Sequence, residues 1–308
     1  MKTKNIVFGA LVIILIALVF TNLNGTQIQG KTKIKVGYLG ITCSEPFFVA
    51  VDNGFFAEEG LDIEPVLMQS SNLETEAVVR GDLDYGACTS IEPVLAFTTE
   101  LKALSFGIQD QIKHFDSIVT KKDNINRLKD LEGKKIAVFP GSTAETFMKR
   151  YLSKRGVVTT NIEFVKMAPN LWISAIESGS VDAADLYEPT RTIGIEKGYK
   201  ILGGGIMADD GFNPPFAPSI VSVKQNPKIT EKIKKAINRA IEFTESNDLG
   251  TRDIIAKWLK MDFNITNKIN RYPHKKLEDV NKTHVQQLAD ILAEANVVKK
   301  TTASVLFR

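Results

Sequence analysis

The sequence has few of the residues on which enzyme active sites are most often built. Its 308 residues include three histidines and two cysteines. It contains no metal-ligand cluster, no phosphate-binding glycine loop and no nucleophile elbow. The histidines, His114, His274 and His284, lie outside the candidate loops described below. We therefore expect no catalytic residues, no metal and no cofactor, and a binding function rather than an enzyme.

The chain also lacks a strong excess of charge of either sign. It carries 39 basic and 36 acidic residues, a formal net charge of +3. No basic cluster with interleaved aromatic residues occurs, so nucleic acid is not an expected partner. Without Lys2 and Lys4 the 39 basic residues become 37 against 36 acidic ones, which argues against a charge-driven membrane-surface binder.

Long apolar runs are absent except at the N-terminus. There Lys2 and Lys4 precede an apolar run from Ile6 to Phe20, a pattern typical of an export signal. The run would span about 22 Å as a helix, short of a hydrocarbon core of about 30 Å. No Ala-x-Ala cleavage site follows, so residues 1–30 are predicted to be either a cleaved signal or a retained anchor. No cysteine ends the run, which does not support a lipoprotein. Whether residues 1–30 are cleaved or retained, the rest of the chain is expected to be extracytoplasmic.

The two cysteines are Cys43 and Cys88. An oxidising compartment permits a disulfide between them. Two buried free thiols are the alternative, and the sequence leaves both open.

A module of strand, hydroxyl-bearing turn, helix, Gly-x-(Leu/Val)-Asp and Glu-Pro occurs twice. The first copy runs from Lys33 to Pro93 and the second from Lys134 to Pro189. Alternation of strands with helical patterns favours parallel, doubly wound sheets. The repeat therefore predicts an α/β protein of two similar lobes that face each other across a cleft.

The segments 116–119 and 218–223 resemble each other and are predicted to be the outward and return crossings between the lobes. Pro65 cannot donate to a ladder, so the strand 61–67 belongs at a sheet edge. Ser71-x-x-Glu74 predicts a capping box at a helix start. Amphipathic segments 228–246, 251–259 and 277–298 would pack on lobe one. The predicted domains are residues 31–118 plus 219–308 for lobe one and 119–218 for lobe two.

Ligands of open α/β sheets bind beyond the carboxyl ends of the strands. Four of the five loops placed there carry Ser or Thr at a helix start, where free N–H groups and a partial positive charge can hold an anion. N-capping alone explains the same hydroxyls. No Lys or Arg falls in these loops, whereas Glu45 and Glu188 do, so a ligand with an amine or N–H donors fits better than a bare anion. The loops are 42–47, 69–71, 88–90, 141–143 and 185–188.

Four aromatic residues could form a stacking wall for an organic ligand: Phe47, Phe48, Trp172 and Tyr187. Trp172 lies in an amphipathic helical pattern and is expected in the core. Tyr187, directly before Glu188-Pro189, is the stronger candidate for the cleft.

Several of these motifs resemble one known family. The stretches 45–50, 53–64 and 80–84, together with 131–137 and 179–183, are similar to the solute-binding proteins of ABC importers. The branch they resemble takes nitrate, aliphatic sulfonates, taurine, bicarbonate or thiamine precursors. The similarity covers about residues 33–224, and Gly-Phe-Phe-x-x-Glu-Gly-Leu-Asp is its most specific part.

The resemblance implies a type II periplasmic-binding fold, two lobes joined by a two-strand hinge, and a monomer that delivers a small-molecule solute to a membrane permease and its ATPase. The first loop, Thr42 to Glu45, departs from the neutral small residues of oxyanion binders, which favours a taurine-like zwitterion or an aminopyrimidine. An enzyme similar to thiamine-pyrimidine synthases and a membrane-tethered sensor are the alternatives. The resemblance and the loops together give these ligand-binding candidates: Ser44, Glu45, Phe47, Gln69, Ser70, Thr89, Ser90, Ser142, Thr143, Asp185, Tyr187 and Glu188.

Overall fold

The computed structural model of the protein describes residues 31–109, 116–141 and 143–308. Lys33–Arg308 form one compact unit. The predicted signal or anchor, residues 1–30, lies outside the described residues, as does the candidate Ser142. Within the described part of the chain, no helix is long and apolar enough to cross a membrane.

The first sheet has six strands in the order β11-β4-β10-β3-β1-β2. Strands β1 and β3 are parallel, whereas β10 runs antiparallel to both β3 and β4. Strand β2 lies at the edge, as Pro65 predicted. The strands are β1 (Thr32–Tyr38), β2 (Leu61–Leu67), β3 (Tyr85–Gly86), β4 (Leu101–Ile108), β10 (Pro215–Ser222) and β11 (His274–Lys276).

The second sheet has five strands in the order β7-β6-β8-β5-β9. Strand β6 is parallel to β7 and β8, and β5 is antiparallel to β8 and β9. The order β2-β1-β3-β10 in the first sheet thus corresponds to β7-β6-β8-β5 in the second, which is the predicted duplication. The strands are β5 (Asp116–Thr120), β6 (Lys135–Val138), β7 (Glu163–Lys166), β8 (Ala183–Tyr187) and β9 (Lys200–Gly204).

Helices connect the strands. Three of the longer helices follow β10, the last strand of the duplicated part. The C-terminal helices occur where the amphipathic segments predicted them, although the last is shorter than 277–298. The α-helices of the described residues are α1 (Glu45–Asp52), α2 (Phe55–Glu58), α3 (Ser71–Arg80), α4 (Ile91–Ala96), α5 (Thr143–Ser153), α6 (Pro169–Ser178), α7 (Thr190–Glu196), α8 (Pro227–Ser246), α9 (Asp248–Leu259), α10 (Phe263–Thr266) and α11 (Lys282–Glu294).

The chain changes sheets slightly earlier than the predicted boundaries. It leaves the six-stranded sheet after Ile108 and enters the five-stranded sheet at Asp116, and it returns between Gly204 and Pro215. The two segments predicted as crossings are therefore strands β5 and β10, each inside one sheet. Their sequence similarity reflects equivalent positions in the two sheets, because β10 is the antiparallel neighbour of β3 and β5 is the antiparallel neighbour of β8.

The repeated Gly-x-(Leu/Val)-Asp motif has the same structure in both copies. Gly81 and Gly179 end their helices at φ values of 84° and 74°, where glycine meets no Cβ penalty. Asp84 Oδ2 then accepts the N–H of Lys35 at 2.9 Å, and Asp182 Oδ2 accepts the N–H of Lys135 at 3.0 Å. The motif thus joins each helix end to the start of the neighbouring parallel strand.

The predicted capping box is wrong by one residue. Ser70, not Ser71, caps α3, and its Oγ accepts the N–H of Leu73 at 3.3 Å. Glu74 does not reach back to the cap, because its side chain is buried between α3 and the sheet. The helix therefore begins with a simple serine cap and directs its first-turn carboxyl inward.

We expect Asp84→Ala and Asp182→Ala each to lower the free energy of unfolding by about 1–2 kcal/mol, because a strand N–H loses a charged acceptor. Chemical denaturation followed by circular dichroism measures the change. Asp62→Ala, an exposed carboxylate on β2, is the matched control and should change stability by less than about 0.5 kcal/mol. Equal effects of all three variants would contradict the assigned role.

Candidate functional site

The carboxyl ends of the parallel strands in the two sheets meet at one pocket. The loops after β1 and β3 form one side, and the loops after β6 and β8 form the other. We call this space the Tyr187 pocket. It is lined by Leu39, Ile41, Thr42, Cys43, Ser71, Cys88, Thr89, Ser90, Phe139, Tyr187, Glu188, Phe216, Ala217 and Tyr272.

A second space, the Gln69 pocket, adjoins the first, and the two share Leu39, Ile41 and Phe139. The Tyr187 pocket has a volume of about 30 Å³ and the Gln69 pocket about 240 Å³. Sites for drug-sized ligands occupy about 300–1,000 Å³. The two sides of the cleft are therefore in near contact, and an organic ligand requires them to separate or the shared side chains to turn. The Gln69 pocket is also lined by Gly40, Leu67, Met68, Gln69, Ala168, Pro169 and Asn170.

Apolar and hydroxyl groups dominate the lining of both pockets. Phe139, Phe216 and Tyr272 form walls together with Tyr187, whose ring lies 5.8 Å from that of Trp172 in the core. The polar lining is mainly threonine and serine, and no Lys or Arg is among the described residues that line either pocket. The lining suits an organic ligand with a flat apolar body and a few hydrogen-bonding groups.

A disulfide joins Cys43 and Cys88 at the floor of the cleft. Their Cα atoms are 5.9 Å apart, within the usual range for a disulfide. The bond ties together the loops that follow β1 and β3, which are neighbours in the six-stranded sheet. The possibility of a bridge, left open by the sequence, is thus realised in the structure.

Three candidates from the first loop do not line the pocket. Ser44 Oγ donates to the carbonyl of Leu39 at 2.9 Å and closes the loop on itself. Phe47 is buried in the aromatic core, 5.5 Å from Trp258 between ring centroids. Glu45 turns away from the cleft and is fully buried. Ser44, Glu45 and Phe47 lie at the start of α1, and all three side chains are buried in the protein.

Glu45 pairs with Arg271, which is not among the residues predicted from the sequence. Arg271 Nη2 donates to Glu45 Oε1 at 2.6 Å, and Arg271 Nε donates to Oε2 at 3.3 Å. Burial raises the pKa of the Glu45 carboxyl, and Arg271 opposes that shift. The two residues are 226 positions apart, and no local pattern marks Arg271 as the partner.

Hydroxyl groups from α3 and the loop after β3 form a network beside the pocket. Thr89 Oγ1 lies 2.8 Å from Thr75 Oγ1 and donates to the carbonyl of Ser71 at 3.1 Å. Ser90 Oγ donates to Ser71 Oγ at 3.0 Å. The candidates Thr89 and Ser90 line the Tyr187 pocket, Gln69 lines the neighbouring pocket, and Ser70 serves as the cap of α3.

The candidates of the second half also divide into residues that line the pocket and residues that do not. Tyr187 and Glu188 line the Tyr187 pocket. Thr143 is the first residue of α5. Its N–H and its Oγ1 each donate to Glu92 Oε2 at 2.8 Å, and Glu92 lies on the opposite side of the cleft. Glu92 belongs to the first Glu-Pro of the repeated module and is not among the residues predicted for the site.

The Glu188 carboxylate caps α7 rather than facing a ligand. Its Oε2 accepts the N–H of Thr192 at 3.1 Å, and its Oε1 accepts from Asn270 N at 3.1 Å and from Arg191 Nη1 at 3.2 Å. Burial raises the pKa of this carboxyl despite these donors. The backbone carbonyl of Glu188 accepts a hydrogen bond from Thr42 Oγ1 at 3.3 Å, which joins the two sides of the cleft.

Asp185 is buried behind the pocket, on strand β8 next to β5. Burial raises its pKa well above the usual range, and the nearby Asp116 carboxylate adds to the shift. Asp116 accepts the N–H groups of Gly205 and Ile206, at 2.8 and 3.1 Å. Asp185 is not among the residues that line either pocket.

Histidine and metal chemistry have little support within the described residues. His274 is buried, and its Nε2 lies 2.9 Å from the carbonyl of Cys43. Burial lowers the pKa of His274 to about 4, so the ring is neutral at physiological pH. His284 contacts the carbonyl of Asn213, and His114 is outside the described residues. No cluster of three His, Cys, Asp or Glu side chains that could hold a metal occurs in 31–109, 116–141 or 143–308.

A sequence model described as "NMT1/THI5 like" matches residues 42–247. The chain belongs to this family. It is 27% identical over 243 residues to a putative aliphatic sulfonates-binding protein of Bacillus subtilis strain 168, covering 74% of this chain and 72% of that one. It is 26% identical over 226 residues to the taurine-binding periplasmic protein of Escherichia coli K12, with coverage of 73% and 69%.

The fold is also that of a solved binding protein. The alkanesulfonate-binding protein SsuA from Xanthomonas axonopodis pv. citri, bound to MOPS, has a TM-score of 0.73 and 18% identity, covering 89% of this chain and 96% of that chain. This likeness shows the periplasmic-binding-protein fold. The family and the fold class expected from the sequence motifs are thus confirmed, and the relatives named here are binding proteins.

The disulfide generates a prediction for stability. It closes a loop with a sequence separation of 45 residues. Replacing both cysteines by alanine should lower the free energy of unfolding by about 3–4 kcal/mol, chiefly by freeing the unfolded chain. Equilibrium denaturation with and without reductant measures this. Reductant should destabilise the wild-type protein and leave the double variant unchanged, whereas an equal effect on both would mean that no bridge forms.

Glu74 generates a prediction for pH. Burial raises its pKa from 4.5 to about 8, with partial compensation from the backbone N–H groups of Cys88 and Ala87. The folded state therefore keeps a proton that the unfolded state releases, so this residue's contribution to stability falls as pH rises from about 4.5 to about 8. Glu74→Gln should flatten that slope and stabilise the protein at pH 8 by about 1–3 kcal/mol.

Denaturation midpoints between pH 5 and pH 9 test this expectation. Glu76→Gln, an exposed position on the same helix, is the matched control and should keep the wild-type slope. An unchanged slope in Glu74→Gln would show that Glu74 ionises normally.

Proposed function

We propose that the protein is the extracytoplasmic solute-binding component of an ABC importer. One observation carries the proposal: the pocket lies between the carboxyl ends of the parallel strands of two duplicated sheets and takes its lining from both. Family membership and the binding proteins among its relatives support the same function. The partners are a membrane permease and its cytoplasmic ATPase, and the protein acts as a monomer.

Binding would work through closure of two lobes around the solute. Thr42 and Glu188 already join the two sides at one point, and Glu92 and Thr143 join them at another. A ligand that contacts both sides stabilises the closed arrangement relative to the open one by the difference in its affinity for the two. The permease then recognises the closed form. Residues 1–30 serve as the export signal, or remain as an anchor on the outer face of the membrane.

The ligand is a small organic solute, either taurine- or sulfonate-like or similar to a thiamine precursor. The aromatic walls of the Tyr187 pocket suit a flat body, and Thr42, Thr89 and Ser90 supply donors and acceptors. The lack of Lys and Arg in the described lining favours the second class, since an anionic group would find no cation there.

The proposed contact residues differ in part from those expected from the sequence. Four of the residues predicted from the sequence remain proposed contacts: Gln69, Thr89, Ser90 and Tyr187. The residues that line both pockets are added to them, namely Leu39, Ile41 and Phe139. Ser44, Glu45 and Glu188 instead position the loops through their side chains. No residue is assigned a catalytic role, and turnover of the solute would distinguish an enzyme similar to thiamine-pyrimidine synthases.

A thermal-shift screen of residues 31–308 tests the function. The panel contains taurine, alkanesulfonates, nitrate, bicarbonate, aminopyrimidines and amino acids. A ligand at 100 times its dissociation constant should stabilise the fold by about 2.7 kcal/mol, a clear rise in Tm. Mass spectrometry of the recovered solute should show no turnover. Consumption of a compound would establish an enzyme instead, and a panel without any hit would contradict binding of these classes.

Phe139→Ala tests the place of binding. Phe139 is shared by both pockets, so its loss should weaken the binding of the identified solute about tenfold or more. Phe263→Ala is the matched control, because Phe263 lies on α10 and lines neither pocket. Isothermal titration measures both. Equal affinities of the two variants would place the ligand elsewhere.

A further inference from the structure

A further cavity lies in the five-stranded half, outside the cleft. It has a volume of about 690 Å³ and shares no lining residue with the Tyr187 pocket or the Gln69 pocket. Sites for drug-sized ligands occupy about 300–1,000 Å³. Unlike the two cleft pockets, this cavity has arginine in its lining. We call it the Gly204 notch, and its lining includes Tyr151, Arg155, Arg191, Asp209 and the glycine run 203–205.

The notch is formed where strand β9 is the edge of its sheet. This strand pairs with β5 and is the last in the strand order. It ends in Gly203 and Gly204. A Cβ atom at Gly203 would lie 2.5 Å from the hydroxyl oxygen of Tyr151, so the phenol packs directly against the glycine. Because glycines have no side chains, the edge of the strand leaves open space beside the groups on its two faces.

Two arginines reach the notch from opposite faces of β9. Successive residues of a strand face opposite sides of the sheet. Tyr151 lies on the face of Gly203, and the guanidinium of Arg155 stacks on its ring at 3.6 Å from the centroid. Ser117, whose partner in the register is the next glycine, accepts from Arg191 Nε at 2.9 Å and so marks the other face. A guanidinium therefore flanks the glycine edge on each side.

Both guanidinium groups are held in place and keep donors for a ligand. Asp209 accepts from Arg155 Nη1 at 3.0 Å and from Nη2 at 2.6 Å. Arg191 donates from Nε to Ser117 and from Nη1 to Glu188 Oε1 at 3.2 Å. Within the described part of the chain, neither Arg155 Nε nor Arg191 Nη2 has a hydrogen-bond partner. An arginine carries five N–H donors, so each retains capacity for a further acceptor.

The chemistry of the notch matches a singly charged carboxylate. Guanidinium groups bind planar carboxylates through pairs of parallel hydrogen bonds. The peptide groups of the glycine run and the half-exposed Ile201 provide a surface for a flat organic body. Asp209 is the acid of the described lining, and its charge repels a doubly charged anion such as phosphate more strongly than a carboxylate.

We propose that the Gly204 notch is a second ligand site, which binds the carboxylate of a small organic acid between Arg155 and Arg191. The notch is separate from the cleft, so this site does not rest on the proposed function. Arg191 also donates to Glu188, which lines the Tyr187 pocket, so one guanidinium contacts both sites.

Sodium benzoate and benzamide test the site in NMR titrations of ¹⁵N-labelled protein. Benzoate should shift the backbone amide signals of the glycine run 203–205 until they saturate. It should bind about tenfold or more tightly than benzamide, which has the same shape without the charge. Unshifted glycine amides, or equal affinities of the two compounds, would overturn the site. Shifts confined to Thr89 and Ser90 would place benzoate in the cleft and would overturn it as well.

Arg155→Gln should weaken benzoate binding about fivefold or more, because a charged donor is lost. Arg239→Gln is the matched control. Arg239 likewise pairs with an acid, Glu58, and stacks on a ring, that of Phe55 at 4.3 Å, but it lines neither the notch nor the cleft pockets. The control should bind benzoate as the wild type does. An equal loss of affinity in both variants would argue against the notch.

Asp209→Asn separates binding from an effect on folding. The substitution keeps the size of the side chain and removes a charge that competes for Arg155, so benzoate should bind about threefold or more tightly. Opposite changes in Asp209→Asn and Arg155→Gln would support the site, whereas weaker binding in both would contradict it. Thermal melts establish that each variant is folded. These results do not depend on whether the solute screen finds a ligand for the cleft.

Discussion

Carboxylates at the cleft must find donors, and the structure around the pocket depends on how they do so. A buried carboxylate without hydrogen-bond partners costs several kcal/mol, so each one requires a group brought from elsewhere in the chain. Hydrogen bonds and ion pairs of acidic side chains therefore hold the loops on both sides of the cleft. No Lys or Arg is among the described residues that line either pocket. The pairs are Glu45 with Arg271, Glu188 with Asn270 and Thr192, Asp116 with Gly205 and Ile206, and Glu92 with Thr143.

The segment after α10 connects these acids to one another. Arg271 binds Glu45 of the six-stranded side, and the preceding residue, Asn270, donates its N–H to Glu188 of the five-stranded side. Lys268 in the same segment pairs with Glu196 of α7 at 2.5 Å. One short stretch of the C-terminal region thus contacts both halves near the pocket. These contacts tie loops of both halves to the same C-terminal segment.

Local sequence patterns predicted much of the fold because they depend on neighbouring residues. The repeated Gly-x-(Leu/Val)-Asp motif marks the same helix end and strand start twice, and Pro65 marks an edge strand. The capping box was wrong because the pattern fits Ser71, whereas Ser70 Oγ accepts the N–H of Leu73 and the Glu74 side chain is buried. Thr89, Ser90 and Tyr187 line the pocket because they lie at or shortly after the ends of strands whose carboxyl ends meet there, and their part in ligand binding stays a prediction.

The sequence by itself determined the class of fold and the duplication through periodicity and turn residues, and the family through the short motifs that resemble it. Only the tertiary structure decided which partner each of these acids has. Glu45 and Arg271 are separated by 226 residues, and Glu92 and Thr143 by 51. Such pairs form when folding brings distant segments together, and the side chain's environment, not its neighbours in sequence, then decides whether a carboxylate binds a solute, caps a helix or holds two lobes together.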